Sequence, residues 1–329
     1  MERCLSPLRR THLTHFKDFS YAKKIERFAV AKKGIKGESW LGFYPALGAV
    51  WGCSFIFIKL GLDFLTPFGV AFGRCALGAA TLLAWAKYKK IALPKSKKIW
   101  AHLWMVSLLL NVIPGVLFAI AETKVTSILA GIINAVTPLM TLIAIMVVTR
   151  DEKPKFYQIL GIGIGFIGVL TVLGAWQGLG DNPLWAVLVL LGAVTCYGFS
   201  FPYSRRFVIP HKLQPESIAA AQVTTGAVTL LPFYLFDGIA RDYYRPGPVF
   251  AMLALGVFGS GFAYIWNFKI MAIAGSAIAS SVTYLTPLVA VAVGVIFLKE
   301  SLFWYEPVGA AIVLFGAAIG QNRIKLGKS

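Results

Sequence analysis

The sequence predicts an all-α membrane protein of ten transmembrane helices, arranged as two inverted five-helix repeats. Three observations lead there: an apolar composition, ten apolar runs of spanning length, and motifs that recur in order between the two halves. In 329 residues, hydrophobic side chains make up 57% and charged ones 14%, with a mean hydropathy of +0.72. Soluble domains carry about 25% charged residues, so no water-soluble shape covers this much apolar surface. An ordinary soluble enzyme, a disordered chain and a disulfide-stapled secreted domain are excluded. Cys4, Cys53, Cys75 and Cys196 show no CxxC spacing, and three of them lie in apolar runs. They read as small packing residues rather than redox or metal groups.

A bilayer core of about 30 Å takes roughly 20 apolar residues of helix. Runs of that kind occupy residues 41–62, 67–86, 100–121, 126–148, 156–175, 183–204, 217–236, 248–270, 276–298 and 305–321. Residues 1–40 hold ten Lys/Arg and four acids with no long apolar run, and 322–329 are again basic. The first reads better as a cytoplasmic basic tail attracted to anionic lipid than as an organelle presequence, because of its acids, and the second as a basic cytoplasmic C-terminus. With the N-terminus inside, 26 Lys/Arg fall on cytoplasmic segments and four outside, while Lys59 and Arg74 lie within spans. That asymmetry is the positive-inside signature. The net charge of +18 is then a topology marker, not a sign of nucleic-acid binding. The expectation is a multi-pass protein of the plasma (inner) membrane with both termini cytoplasmic.

The segments 41–175 and 183–321 repeat one another. Leu47-Gly-Ala-Val50 returns as Leu191-Gly-Ala-Val194, and Gly78-Ala-Ala-Thr-Leu-Leu83 as Gly226-Ala-Val-Thr-Leu-Leu231. Ser127, Ala130 and Thr137-Pro-Leu139 in span 4 match Ser276, Ala279 and Thr286-Pro-Leu288 in span 9, at an offset of 149. An acid follows each, Glu152 or Glu300, and nine residues later a glycine, Gly161 or Gly309. Five spans per unit is an odd number, so the second unit crosses the membrane inverted. Inverted repeats around a midplane site are the mark of secondary transporters.

Trp51-Gly-Cys-Ser-Phe with Lys59, Pro67 and Arg74, the two Thr-Pro-Leu motifs and the acid after each resemble the EamA type of the drug/metabolite transporter superfamily. The resemblance covers about residues 41–321. The second half departs from it, with Thr195-Cys-Tyr-Gly in place of Trp51-Gly-Cys-Ser and Gln222 where Arg74 would repeat. It implies ten helices in a basket around a central cavity, lined by spans 1, 3, 4, 6, 8 and 9, and movement of small organic metabolites, often outward.

Pro138 and Pro287 sit near the centres of spans 4 and 9. Proline there deprives the carbonyl four residues earlier of its donor, which frees Asn134 and Thr283. Freed backbone at membrane depth is tolerated against protein or a watery cavity, so the two breaks are expected to face each other across one. Asn111 and Asn267 are amides that hydrocarbon holds at a cost, and Tyr264, Trp266 and Tyr284 pair a flat apolar face with one polar atom. Each has a plain alternative as an inter-helix contact. Intramembrane cations mark a pathway or a paired structural contact. Lys59 is the better substrate candidate, and Arg74 reads slightly better as a structural cation on helix-end carbonyls. No acid lies deep in a span, Glu122 at the end of span 3 coming nearest, which points to facilitated diffusion or exchange rather than ion-driven transport.

Gly163-Ile-Gly-Phe-Ile-Gly168 spells a dinucleotide fingerprint, but inside an apolar span it lacks the required strand and turn. These glycines, with Gly161/Gly165 and Gly316/Gly320, fit close helix packing in spans 5 and 10, within the fold or across a homodimer. His12, His15, His102 and His211 are scattered, so no metal, catalytic group or cofactor is expected. The function expected is secondary transport of amino acids or related carboxylates, most simply as export. The alternatives are an exchanger of phosphorylated or nucleotide-linked metabolites and, behind it, a membrane-embedded enzyme.

Overall fold

The structure, a computed structural model, describes residues 39–148, 156–172, 176, 182–237, 246–299, 301–320 and 324. Almost all of the basic tail, Glu152, Glu300 and nearly all of the basic C-terminus lie outside these. The described helices belong to one unit, Trp40–Ser329. In chain order they are α1 (Phe43–Gly61), α2 (Pro67–Tyr88), α3 (Lys97–Glu122), α4 (Ser127–Val148) and α5 (Phe156–Val172). A second set comes after them: α6 (Leu184–Phe207), α7 (Pro215–Asp237), α8 (Pro246–Ala274), α9 (Ser276–Leu298) and α10 (Tyr305–Gly320). All but α5 and α10 are long and apolar enough to cross a membrane, so the described residues supply eight full-length spans against ten expected. At 1.5 Å per residue, the 17 residues of α5 and 16 of α10 reach about 25 Å, short of a bilayer core of about 30 Å.

Local chemistry sets where the helices begin. Thr66 accepts from Gly69 N at 3.1 Å, with Pro67 in the first turn of α2. Thr126 does the same for Leu129 N at 3.1 Å at the start of α4. Each hydroxyl satisfies a backbone donor that the first turn leaves over. Between α8 and α9 the chain reverses at Gly275, whose φ of +89° and ψ of 174° belong to a region that glycine alone occupies at low cost. A Cβ there would also come within 2.9 Å of Arg205 Nη1.

Contacts near the helix ends set the directions: α2 runs antiparallel to α7 and α3 to α6, while α1 runs parallel to α9 and α4 to α6. At one end Ser217 donates to the Ala92 carbonyl at 2.8 Å, His102 Nδ1 lies 2.9 Å from Tyr203 Oη, and Tyr44 donates to the Ser281 carbonyl at 2.8 Å. Arg206 donates there to the Val148 carbonyl. This basic end carries Lys87, Lys89, Lys90, Arg205 and Arg206. At the opposite end Lys59 reaches the close of α3, and Phe68 stacks on Phe233 at 5.6 Å.

α5 and α10 lie glycine to glycine. A Cβ at Gly161 would sit 2.5 Å from both Gly316 O and Gly320 N. The glycine faces considered for a homodimer therefore cover each other within one chain. Gly161→Ala is expected to force the pair apart at a cost of about 1–3 kcal/mol, read as a lower melting temperature in detergent; an unchanged melt contradicts this packing.

Four helices depart from regular α geometry. α3 and α8 each widen into a π-helical stretch, at Leu108–Val112 and Leu255–Phe262, a feature frequent at functional sites. α4 and α9 are broken near their middles, at Ala135–Val136 and at the 3₁₀ turn Val282–Tyr284.

Candidate functional site

Proline explains both breaks. Pro138 is the second residue after the break of α4, and Pro287 stands in the first turn after the break of α9. Neither has an N–H to continue the helix before it. Val136 O instead accepts from Leu139 N and Met140 N at 2.9 and 3.1 Å. The Thr283 carbonyl takes the Thr286 hydroxyl at 2.7 Å.

Side chains then tie the breaks together. The Thr137 hydroxyl donates to Asn134 Oδ1 at 3.3 Å, Asn134 Nδ2 donates to Thr286 Oγ1 at 3.2 Å, and Thr286 donates onward to Thr283 O. The chain of bonds crosses from α4 to α9 through residues that are all buried. Linked hydrogen bonds away from water reinforce one another, so the two breaks are held as one object.

Beside it lies a cavity of about 480 Å³. Its apolar wall is aromatic: Trp51 meets Tyr264 edge-on at 6.0 Å, and Phe118 stacks on Tyr197 at 5.8 Å and tilts against Phe55 at 5.5 Å. Polar atoms come from Ser54, Asn134, Thr137 and Thr283, and the one charged residue in the lining, among the described residues, is Arg74. Arg74 is 4% exposed, and its Nε donates to Ser260 Oγ at 2.9 Å. A guanidinium has five N–H donors, so donors remain for a ligand. Trp51 Nε1 is engaged by Gly259 O at 3.3 Å, and Tyr264 Oη by Leu110 O at 3.2 Å. Both acceptors belong to the π stretches, which present carbonyls that regular helix would use internally.

The two cations are not placed as expected. Lys59 is not among the residues that line the cavity; its ammonium donates to Glu122 O at 2.7 Å, a carbonyl left over where α3 ends, and to Val125 O at 3.0 Å in the turn before α4. Arg74, expected on helix-end carbonyls, faces the cavity and adds α2 to the lining helices. Both cations are long enough to reach several partners, and depth in the span does not say which one is within reach.

The other candidates divide. Asn134, Thr283 and Tyr264 come together at the cavity. Asn111 pairs instead with Gln222, whose Nε2 donates to its Oδ1. Asn267 is fully buried away from the cavity, with no hydrogen-bond partner among the described residues. Trp266 packs against an apolar cluster that includes Phe268 and Met271. Tyr284 and Pro138 line a second cavity, and Pro287 lines neither. The prolines thus do not face each other across the central cavity; Thr137 and Thr283, beside the breaks, both line it. Reasoning from residue type and depth does not single out Ser54, Thr137, Tyr197, Phe201 or Ser260. The repeat offset of 149 from Asn111 to Ser260, and from Asn134 to Thr283, is the signal that leads to Ser260.

That offset also exposes a pattern. Arg74 of α2 bonds Ser260 in the π stretch of α8, and Gln222 of α7 bonds Asn111 in the π stretch of α3. Corresponding positions make corresponding bonds between halves, but one pair carries a charge and the other does not.

The sequence model of the EamA-like transporter family matches the chain twice, over residues 39–174 and 184–319. An Archaeoglobus fulgidus protein described as an uncharacterized transporter is 27% identical over 282 residues, covering 81% of this chain and 92% of its own. The uncharacterized inner membrane transporter YedA of Escherichia coli (strain K12) is 25% identical over 283 residues, covering 86% of this chain and 89% of its own. One solved crystal structure superposes with a TM-score of 0.61 at 21% identity, over 85% of this chain and 97% of that one. That is a likeness of fold.

Proposed function

Since the chain belongs to the EamA-like transporter family and is a multi-pass membrane protein, we propose that it is a secondary transporter of small organic carboxylates, amino acids among them. The observation that carries this reading is the central cavity, whose described lining brings one buried guanidinium together with polar residues of the joined helix breaks inside an aromatic wall. Arg74 would take the carboxylate through its Nη donors, the geometry guanidinium matches best. The hydroxyls of Thr137 and Thr283 and the Asn134 amide would orient the remaining polar group. Trp51, Tyr264, Phe118 and Tyr197 would hold an apolar body.

In this reading residues 41–175 and 183–321 are two inverted five-helix repeats with both termini cytoplasmic. The matched cross-helix bonds, Arg74 with Ser260 and Gln222 with Asn111, support that symmetry. Rocking of one half against the other exposes the cavity to either side in turn, and export is the direction that the family resemblance favours. The charge on only one of the paired positions gives the bound solute a single orientation. An exchanger of phosphorylated metabolites is the second reading, and one cation in the lining suits a monoanion better than a phosphate dianion.

The test is flux into proteoliposomes of a labelled panel: amino acids, small aliphatic and aromatic carboxylates, sugar phosphates and nucleotide-linked sugars. Saturable flux of a carboxylate is expected. Flux confined to phosphorylated solutes selects the exchanger, and no flux of any member contradicts transport of these classes. Among the described residues the cavity lining includes no carboxylate to exchange a proton with the solute. An imposed pH gradient is therefore expected to leave the steady level of solute unchanged, and uphill accumulation driven by that gradient contradicts it.

A further inference from the structure

The second cavity, of about 560 Å³, lies between α4, α5, α9 and α10. Its relation to the first is given by neighbours in the chain. Thr137 lines the central cavity and Pro138 the second; Thr283 lines the central cavity and Tyr284 the second. The two helix breaks therefore stand between the cavities, with one face toward each. From there the second cavity extends along Leu142, Tyr157, Ala277 and Gly320. Tyr157 and Ala277 begin α5 and α9, and Gly320 ends α10, so all approach the basic end of the helices.

We infer that the joined breaks of α4 and α9 form a septum between the central site and a vestibule opening at the basic end, and that the Tyr284 ring is its movable plate. The three-bond chain through Thr137, Asn134 and Thr286 fixes the rest of the septum. Tyr284 is outside that chain. It closes the 3₁₀ turn Val282–Tyr284, a conformation with weaker hydrogen-bond geometry than α-helix. Its hydroxyl makes no hydrogen bond among the described residues. The same cavity wall includes Gly316 and Gly320. The passage of solute through this vestibule rests on the transport reading; the septum does not.

The test needs no substrate. The full chain, with Cys4, Cys53, Cys75 and Cys196 replaced by Ser, receives Ala277→Cys or Thr283→Cys and is reconstituted in sealed vesicles of known orientation. The probe is the membrane-impermeant 2-sulfonatoethyl methanethiosulfonate, added on the basic-end side. Ala277→Cys is expected to react readily, and Thr283→Cys about tenfold or more slowly, because reaction there scales with the fraction of open septum. Adding Tyr284→Ala should raise the Thr283→Cys rate about tenfold and leave the Ala277→Cys rate unchanged. Tyr284→Phe, which keeps the ring, should change neither. Should Tyr284→Ala fold poorly, Tyr284→Leu serves in its place, with monodispersity as the control. An Ala277→Cys that reacts only with a membrane-permeant reagent marks a lipid-filled pocket and overturns the vestibule. A Thr283→Cys rate indifferent to the residue at 284 overturns the septum. Either failure leaves the flux assay standing, and absence of flux leaves these labelling rates standing.

Discussion

Arg74→Gln is expected to lower carboxylate flux by two to three orders of magnitude while the protein still folds and purifies as before. Removing one partner of a buried charge pair costs about 2–5 kcal/mol, and each 1.4 kcal/mol is about a factor of ten. The glutamine amide keeps a donor for Ser260, so the contact between α2 and α8 persists; what disappears is the positive charge in the cavity. Arg74→Lys should fall between the two, retaining charge and losing the planar fork. Flux and melting temperature measured on the same preparations decide the matter. A loss of transport matched by an equal loss of stability would return Arg74 to a structural role.

Lys59→Gln is expected to do the reverse. Its ammonium holds one carbonyl at the end of α3 and one in the turn before α4, and hydrogen bonds to a charged group are worth about 1.5–3 kcal/mol each. Losing them should cut the folded yield and lower the melting temperature markedly. The protein that does fold should transport with an unchanged half-saturation concentration, because Lys59 is not in the cavity wall. A normal melt with impaired affinity contradicts this assignment and restores Lys59 as a substrate ligand.

The contrast between these cations shows how far the sequence reaches. Hydropathy locates spans because the bilayer imposes one length and one polarity on each of them. Proline chemistry locates the breaks of α4 and α9 because a missing N–H acts on its own turn, whatever surrounds it. Asn134 and Thr283 follow from the same rule and do line the cavity. Direction around the helix axis is another matter. In a span apolar on all sides, no amphipathic stripe says which face looks inward. Lys59 taken by its depth alone reads as a seeker of solute or water, yet a leftover carbonyl of α3, 63 residues away in sequence, lies within its reach. Asn111 finds its partner in Gln222, across 111 residues, and neither local spacing nor depth announces that meeting. The glycines of α5 and α10 are legible as packing residues, but not as partners of each other within one chain.

One position tests the central claim most directly. Thr137→Cys, in the cysteine-free chain reconstituted in sealed vesicles, places a thiol beside the joined breaks in the central cavity. If that hollow opens to each compartment in turn, an impermeant thiosulfonate modifies the thiol from either side of the same membrane. From the basic end it arrives more slowly, past Tyr284. Modification from one side only, however long the exposure, would contradict alternating access.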